Sequence, residues 1–92
     1  MIFVHPGQIL RRELKARSMS ANRFALALRV PSGRVTDILN EKRAITPETA
    51  LRLAAFFGNS PQFWMNLQTQ FDLARTDRKH GKRIAAEVQK AA

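Results

Sequence analysis

Residues 20–40 read SANRFALALRVPSGRVTDILN, and this stretch decides the fold. Ser20 can cap a helix by accepting a hydrogen bond from an unpaired backbone N–H. Apolar residues follow at three- and four-residue steps, the spacing of a buried helical stripe: Phe24, Ala27 and Leu28. Pro31 then breaks the pattern, because proline lacks the N–H that a helix interior needs. A second stripe of Val35, Ile38 and Leu39 begins after Ser32, so the stretch predicts one helix over about 21–28, a short turn and another helix from 32 onward.

Start signals on either side of this stretch predict three more helices. Pro6-Gly7 precedes a segment with one apolar face, so a helix is expected over about 7–17. Thr46-Pro47 combines a capping residue with a proline at the first helical position, which is a strong helix start. Ser60-Pro61 repeats that signal for a last helix, which we expect to end near Arg75. The chain is therefore predicted to be all-α, with five helices.

The C-terminal part of the sequence predicts less order. Residues 76–83 are charged and nearly devoid of apolar side chains, so they cannot bury enough surface to offset the entropy of ordering them. Ile84 and Val88 form a single apolar pair further on, which makes a helix there marginal. We therefore divide the chain into a folded domain over residues 1–75 and a basic tail over residues 76–92, and we expect the tail to be frayed or mobile.

The charge distribution points to a polyanionic partner. Sixteen lysine and arginine residues against seven aspartate and glutamate residues give a formal net charge of +9. Residues 11–43 carry nine basic and three acidic side chains, a balance of +6, and residues 75–92 carry six and two, a balance of +4. A basic excess on the central helix pair is typical of a nucleic-acid-binding protein. The alternative is a solvated surface with surplus lysine and arginine.

The composition argues against several other classes of protein. The absence of cysteine excludes disulfide bonds, thiolate nucleophiles and the common thiolate zinc sites. His5 and His80 lack the spacing of metal ligands, so no metal or cofactor is expected. With two isolated histidines, no tyrosine and scattered acids, the chain is not expected to be an enzyme. Apolar runs fall short of the roughly 20 residues that span a bilayer, so we expect a soluble, cytoplasmic protein.

The third predicted helix has a polar outer face that suits the major groove of DNA, which admits one helix. Its outward positions are predicted to be Ser32, Gly33, Arg34, Thr36, Asp37 and Asn40. Arg34 is the expected base reader, because a guanidinium can donate two parallel hydrogen bonds to O6 and N7 of guanine. Lys42 and Arg43 follow the helix and are expected to contact the sugar-phosphate backbone. Arg23, on the preceding helix, completes the predicted DNA-binding set.

Two further interpretations concern partners. An RNA-binding protein would present exposed aromatic residues on a sheet or in a single-strand groove, and no strand pattern is visible. A chain this short buries only about 60 to 65 percent of its unfolded surface, which favours oligomerisation and makes a homodimer the expectation. Trp64 is predicted to anchor the core, whereas Phe63 beside it is expected to be half-exposed. The alternative is a surface for self-association on the fifth helix, because a small domain that exposes aromatic residues usually covers them with a partner.

The central stretch also resembles a known family. Phe24-Ala25, Leu28 and Val30 match the pattern of Xre- and Cro-type helix-turn-helix repressors, which have the lambda-repressor-like fold. More narrowly, three stretches resemble the HigA-type antitoxins of bacterial toxin–antitoxin modules: HPGQIL at 5–10, VPSGRVTDILNEKRAIT at 30–46 and TALRLAAFFGNSPQFWMNLQTQFDL at 49–73. The resemblance covers about residues 5–75, and the run over residues 43–73 is specific to the HigA-type group.

This resemblance implies a homodimeric transcriptional autorepressor that binds operator DNA and neutralises a partner toxin, a ribosome-dependent mRNA endonuclease of the RelE-like HigB kind. A stand-alone Xre-type repressor with no toxin partner remains open as the alternative. Arg29 departs from the family pattern, because these proteins usually have glycine at this point of the turn. A residue there often needs a positive φ, which costs a non-glycine residue about 1 kcal/mol.

Overall fold

The computed structural model describes residues 3–91 and contains, within them, five helices and no strand. The helices are α1 (Pro6–Ala16), α2 (Ala21–Leu28), α3 (Ser32–Leu39), α4 (Pro47–Phe57) and α5 (Pro61–Glu87). The all-α prediction is confirmed, and α2 and α3 form the predicted helix-turn-helix pair. In the part of the chain that the structure describes, no helix is both long enough and apolar enough to cross a membrane.

Side-chain caps explain where most of the helices begin. The caps predicted at Ser20, Thr46 and Ser60 are formed, and each hydroxyl accepts a hydrogen bond from the N–H three residues further on, at 3.1 to 3.3 Å. α1 is capped by His5, which the sequence did not single out: its Nδ1 accepts a hydrogen bond from the N–H of Gly7 at 2.9 Å. Each bond satisfies one of the N–H groups that a helix leaves unpaired in its first turn.

A single core with aromatic residues at its centre joins the helices. Phe24 of α2 is buried and meets Phe56 of α4 edge to face, with ring centroids 5.1 Å apart. Trp64 of α5 is 1% exposed and packs against Phe57 at 5.4 Å, which confirms it as a core anchor. Phe63 beside it is 44% exposed, as the sequence predicted. The same core holds α3 by its inward residues: Val35, Ile38 and Leu39.

α5 continues to Glu87, so the prediction that it ends near residue 75 and frays beyond was wrong. Residues 76–87 are helical although nearly all of their side chains are exposed. A helix that is already nucleated can add residues without repeating the cost of nucleation, and the Arg83–Glu87 pair at 3.6 Å adds a small stabilisation one turn apart. The division into a domain over 1–75 and a tail over 76–92 stays a prediction, although no helix boundary marks it.

The turn between α2 and α3 passes through Arg29 in the left-handed conformation, with φ 60° and ψ 48°. The N–H of Arg29 faces the carbonyls of Ala25 and Leu26, while its side chain is exposed. The residue therefore ends α2 in the way that a glycine usually does. Its Cβ is strained in this region of φ and ψ, which confirms the expectation drawn from the missing glycine.

Arg29→Gly is expected to raise the free energy of unfolding by about 0.5 to 1 kcal/mol, because removing the Cβ relieves more strain than the looser unfolded chain costs. Urea denaturation at a fixed protein concentration measures the change. Arg29→Ala is the matched control, since it also removes the charged side chain but keeps the Cβ and should give no such gain. Equal stabilisation by both substitutions would contradict the argument from strain.

Candidate nucleic-acid interface

The outer face of α3 is polar and accessible. Its exposed residues are Ser32, Gly33, Thr36 and Asn40, all of which the sequence placed there. The opposite face is buried, because its apolar residues are spaced three and four positions apart. A Cβ built on Gly33 would have open space around it, so the backbone is especially accessible at this end of the helix. Such a face can approach base edges in a major groove about 12 Å wide.

Arg34 lies at the edge of α3 rather than on its outer face, which corrects the prediction. Its side chain is 27% exposed, and its Nη1 lies 2.5 Å from Oε1 of Glu48 in the first turn of α4. The cause is its position one residue before Val35 and four before Ile38, both buried, so its stem starts beside the core. The same Glu48 oxygen lies 3.6 Å from Nε of Arg52. The hydrogen bond from Arg34 lowers the pKa of the Glu48 carboxyl below its ordinary value.

The loop after α3 carries the two cations that were predicted to contact phosphates. Lys42 and Arg43 are exposed, and Nη2 of Arg43 lies 3.5 Å from Oδ2 of Asp37. The side chain of Asp37 is 45% exposed, so it is accessible as predicted, and it pairs with the loop. The N–H of Lys42 donates to the carbonyl of Asp37 at 2.8 Å, so the loop is held against the last turn of α3. Arg23 is exposed in the first turn of α2, on a separate element.

Arg11 of α1, which was not among the residues predicted for the site, holds the C-terminal end of α3. Its Nε donates to the carbonyl of Leu39 at 2.9 Å, and its Nη2 donates to Oδ1 of Asn40 at 2.6 Å. The last carbonyls of a helix lack helical partners, and the helix dipole favours a cation there. Because Oδ1 of Asn40 accepts this bond, the side chain offers its amide N–H groups as donors to other partners. These partners are 28 and 29 positions apart, so no local pattern indicates them.

The beginning of α1 packs directly against the end of α3. Gly7 is buried, and a Cβ at this position would lie 2.0 Å from the carbonyl oxygen of Ile38. His5 is 3% exposed, and its ring meets Phe71 of α5 edge to face at 5.0 Å. This junction, formed by α1, α3 and α5, supports the C-terminal end of α3, the helix that is predicted to contact DNA bases. Its sign in the sequence is the His-Pro-Gly of HPGQIL.

Gln68 ties the loop before α4 to α5. It is 4% exposed, its Oε1 accepts a hydrogen bond from the N–H of Ile45 at 2.8 Å, and its Nε2 donates to Oδ1 of Asp72 at 3.0 Å. Asp72 in turn lies 3.4 Å from Nη2 of Arg75. α5 therefore fixes the end of the loop and brings Arg75 to a surface pocket that residues 41–44 also line.

Acid should destabilise the fold through His5. Burial lowers the pKa of His5 below 6.5, while the carboxylates of Glu41 and Asp72 act in the opposite direction. The cap requires a neutral ring, because a protonated Nδ1 cannot accept the hydrogen bond from Gly7. A histidine with a lowered pKa contributes stability that is complete above its unfolded-state pKa and is lost as the pH falls below it. We therefore expect the free energy of unfolding to be lower at about pH 5 than at about pH 7.5.

Two substitutions test this pH dependence by urea denaturation. His5→Asn keeps a residue type that caps helices but removes the titrating ring, so it should weaken the dependence. His80→Gln, at an exposed position of α5, should leave the dependence as it is in the wild type. If all three proteins lose the same stability between the two pH values, His5 is not the cause.

The chain has clear relatives. The helix-turn-helix family matches residues 10–64. Virulence-associated protein I of Dichelobacter nodosus is 49% identical over 71 residues, which are 76% of this chain and 66% of that protein. An addiction module antidote protein of a HigA family from Coxiella burnetii has a similar structure, with a TM-score of 0.94, 50% identity and coverage of 99% of this chain and 100% of that one. The Pseudomonas aeruginosa antitoxin HigA, solved with the higBA promoter, gives a TM-score of 0.92 at 41% identity and covers 97% and 98% of the two chains.

Proposed function

We propose a function from the premise that this chain belongs to the helix-turn-helix family, and within it to the HigA-type antitoxins. In this proposal the protein acts in the cytoplasm, where it binds operator DNA as a homodimer and represses its own operon. It also neutralises a HigB-like toxin that cleaves mRNA. The observation that carries the DNA-binding part is the exposed polar face of α3, set in a basic segment and held in place by α1 and α4.

The residues of this segment have different roles in the proposal. α3 enters the major groove, with the outer residues Ser32, Gly33, Thr36 and Asn40 against base edges and nearby phosphates. Arg34 reads guanine from the edge of the helix, beside Glu48. Lys42 and Arg43 contact the phosphate backbone, with Asp37 holding Arg43 in place. Arg23 contributes a further phosphate contact from α2.

The exposed apolar residues of α5 support the homodimer. Leu73 is 65% exposed and Ile84 is 42% exposed, and these two residues are eleven positions apart, which is close to three helical turns. Val88, the residue that ends α5, follows Ile84 by four positions and is 66% exposed. One face of the helix therefore leaves apolar surface uncovered, and a second copy of the chain would cover it. Two copies would place their α3 helices about 34 Å apart, one turn of B-DNA.

Co-expression tests the function directly. The open reading frame beside this gene is expressed with it, and a tag on one product is used to recover the other. We expect a toxin-sized partner to co-purify, and we expect the protein to shift the intervening promoter in a gel. Promoter binding without a partner would leave the stand-alone repressor as the function. No preference for the promoter over random DNA would overturn the proposal.

Sedimentation tests the dimer. We expect a dimer at tens of micromolar protein and two protomers bound per operator. A monomer that also binds DNA one to one would contradict this part of the proposal.

A further inference from the structure

We propose that α5 carries a second phosphate-contacting surface, formed by Arg75, Arg78, Lys79 and Lys82 and here called the α5 basic stripe. This proposal rests on the proposed function in one respect, which is that the partner is double-stranded DNA. It extends the predicted DNA contacts from the helix-turn-helix segment to the helix that projects from the core. Residues 75–92 carry a balance of +4, and no DNA contact has been assigned to them so far.

The stripe lies on a single face of α5. Arg78, Lys79 and Lys82 lie three, four and seven positions after Arg75. At this spacing the four side chains share one face of the helix. The same face is the buried one in the first half of α5, through Trp64 and Gln68. The side of the helix that packs on the core therefore becomes basic where the core ends. The acidic residues of this segment, Asp77 and Glu87, fall off the stripe.

The stripe begins beside the loop that carries the predicted phosphate contacts. Arg75 lines the same surface pocket as Lys42 and Arg43. The hydrogen bonds of Gln68 to Ile45 and to Asp72 hold the loop and α5 together at this point. A DNA strand that passes Lys42 and Arg43 would therefore meet the stripe next.

The size and charge of the stripe fit a DNA strand. Seven positions along a helix span about 10 Å, and a DNA strand presents one phosphate per 3.4 Å of axis, so the stripe can contact about three phosphates. Arg75 is engaged by Asp72 at 3.4 Å and packs over the ring of Phe71. Among the ion pairs of residues 3–91, none involves the three remaining residues of the stripe, Arg78, Lys79 and Lys82.

A second copy of the chain is a poor occupant for the stripe. Four like charges would face an identical set across a two-fold axis, and such contacts repel. The uncovered apolar residues Leu73, Ile84 and Val88 lie on the other side of α5 and remain for self-association. DNA matches both the sign and the linear spacing of the charges, and a strand that contacts Lys42 and Arg43 would continue onto them.

The salt dependence of DNA binding tests the proposal. The variant R78Q/K82Q removes two charges from the stripe. R83Q/K90Q removes two charges from the same part of the chain, one at the margin of the stripe, where Arg83 pairs with Glu87, and one beyond the end of α5. Glutamine is a good helix former, so both pairs should keep α5, and circular dichroism checks this. Affinities for the promoter and for a random duplex are measured between about 50 and 200 mM salt.

We expect R78Q/K82Q to reduce the slope of log affinity against log salt by about two per protomer, at about 0.9 per lost phosphate contact. Between about 50 and 200 mM salt, the factor by which affinity falls should be about tenfold smaller per protomer for R78Q/K82Q than for the wild type, and this should hold for both duplexes. R83Q/K90Q should change the slope by less than half of this. Equal slopes for the two variants, or an unchanged slope in R78Q/K82Q, would overturn the proposal. The proposal would also be overturned if R78Q/K82Q lost only RNA binding, or only the co-purifying protein, and kept the salt dependence of DNA binding.

The two proposals can fail separately. If the wild type does not prefer its promoter over random DNA, the proposed function fails, and the comparison of slopes can still be made on the random duplex. If the promoter is preferred and the two charge variants behave alike, the α5 basic stripe alone is rejected.

Discussion

Replacing Gly7 by alanine is expected to lower the free energy of unfolding by about 3 kcal/mol, near the upper end of the range for an overfilled core. The added Cβ would lie 2.0 Å from the carbonyl oxygen of Ile38 and 3.1 Å from Nδ1 of His5. Both neighbours are held in place, the first by the backbone of α3 and the second by its hydrogen bond to the N–H of Gly7. α1 must therefore move away from α3, which also disturbs the end of the candidate reading helix.

Gly33→Ala is the matched control for this prediction. Gly33 also lies within a helix, but a Cβ there meets no atom within 4 Å. Alanine is the better helix former by about 1 kcal/mol, so Gly33→Ala should stabilise the protein slightly. Urea denaturation of both variants gives the comparison. If the two substitutions change stability by similar amounts, the close approach of α1 to α3 does not decide the stability of the junction.

The sequence was sufficient for the helices because their signals are local. Ser20, Thr46 and Ser60 cap the helices that they were predicted to cap, since a cap depends on residues within one turn. The apolar stripe of α3 gave the correct buried face for the same reason, whereas in α2 Phe24 and Leu28 are buried as predicted but Ala27 is exposed and Ala25 is buried in its place. The end of α5 was wrong because it was inferred from burial. An existing helix can continue through exposed, charged residues when they are good helix formers.

Helical spacing predicted which residues of the candidate site are exposed, but not which contacts they make with other helices. Spacing placed Ser32, Gly33, Thr36 and Asn40 on the exposed face of α3, where the structure has them. Spacing could not show that Arg34 turns towards Glu48, because that partner belongs to another helix, 14 positions away. The support from α1 and α5 arises from tertiary contacts, which leave no periodic mark in the sequence.

Replacing Arg34 by alanine is expected to cost about 1 to 3 kcal/mol of binding free energy on the cognate operator and to flatten the preference at one base position. The pair with Glu48 uses Nη1 of Arg34. The guanidinium has further N–H donors along its Nε–Nη2 edge, and two parallel donors are what O6 and N7 of guanine require. Affinity for random DNA should fall much less. Binding to a set of operators with single base changes measures both effects.

Lys42→Ala and Arg43→Ala should give a different result, because these side chains lie in the loop and not on the helix. Each should weaken binding to cognate and random DNA to a similar degree. Each should also lower the slope of log affinity against log salt by about one per phosphate contact. The base preference of the protein should stay as it is in the wild type.

Glu48→Gln separates a reading role of Arg34 from a structural one. Both Arg34→Ala and Glu48→Gln break the ion pair between α3 and α4, but only the first removes the guanidinium. If Arg34 contacts guanine, Glu48→Gln should keep the base preference, and the loss of a negative charge should strengthen binding to all duplexes. If the pair merely positions α3, the two substitutions should flatten the preference equally. If Arg34→Ala changes no preference while Lys42→Ala or Arg43→Ala does, α3 is not the reading helix, and the assignment of the DNA-binding motif is wrong.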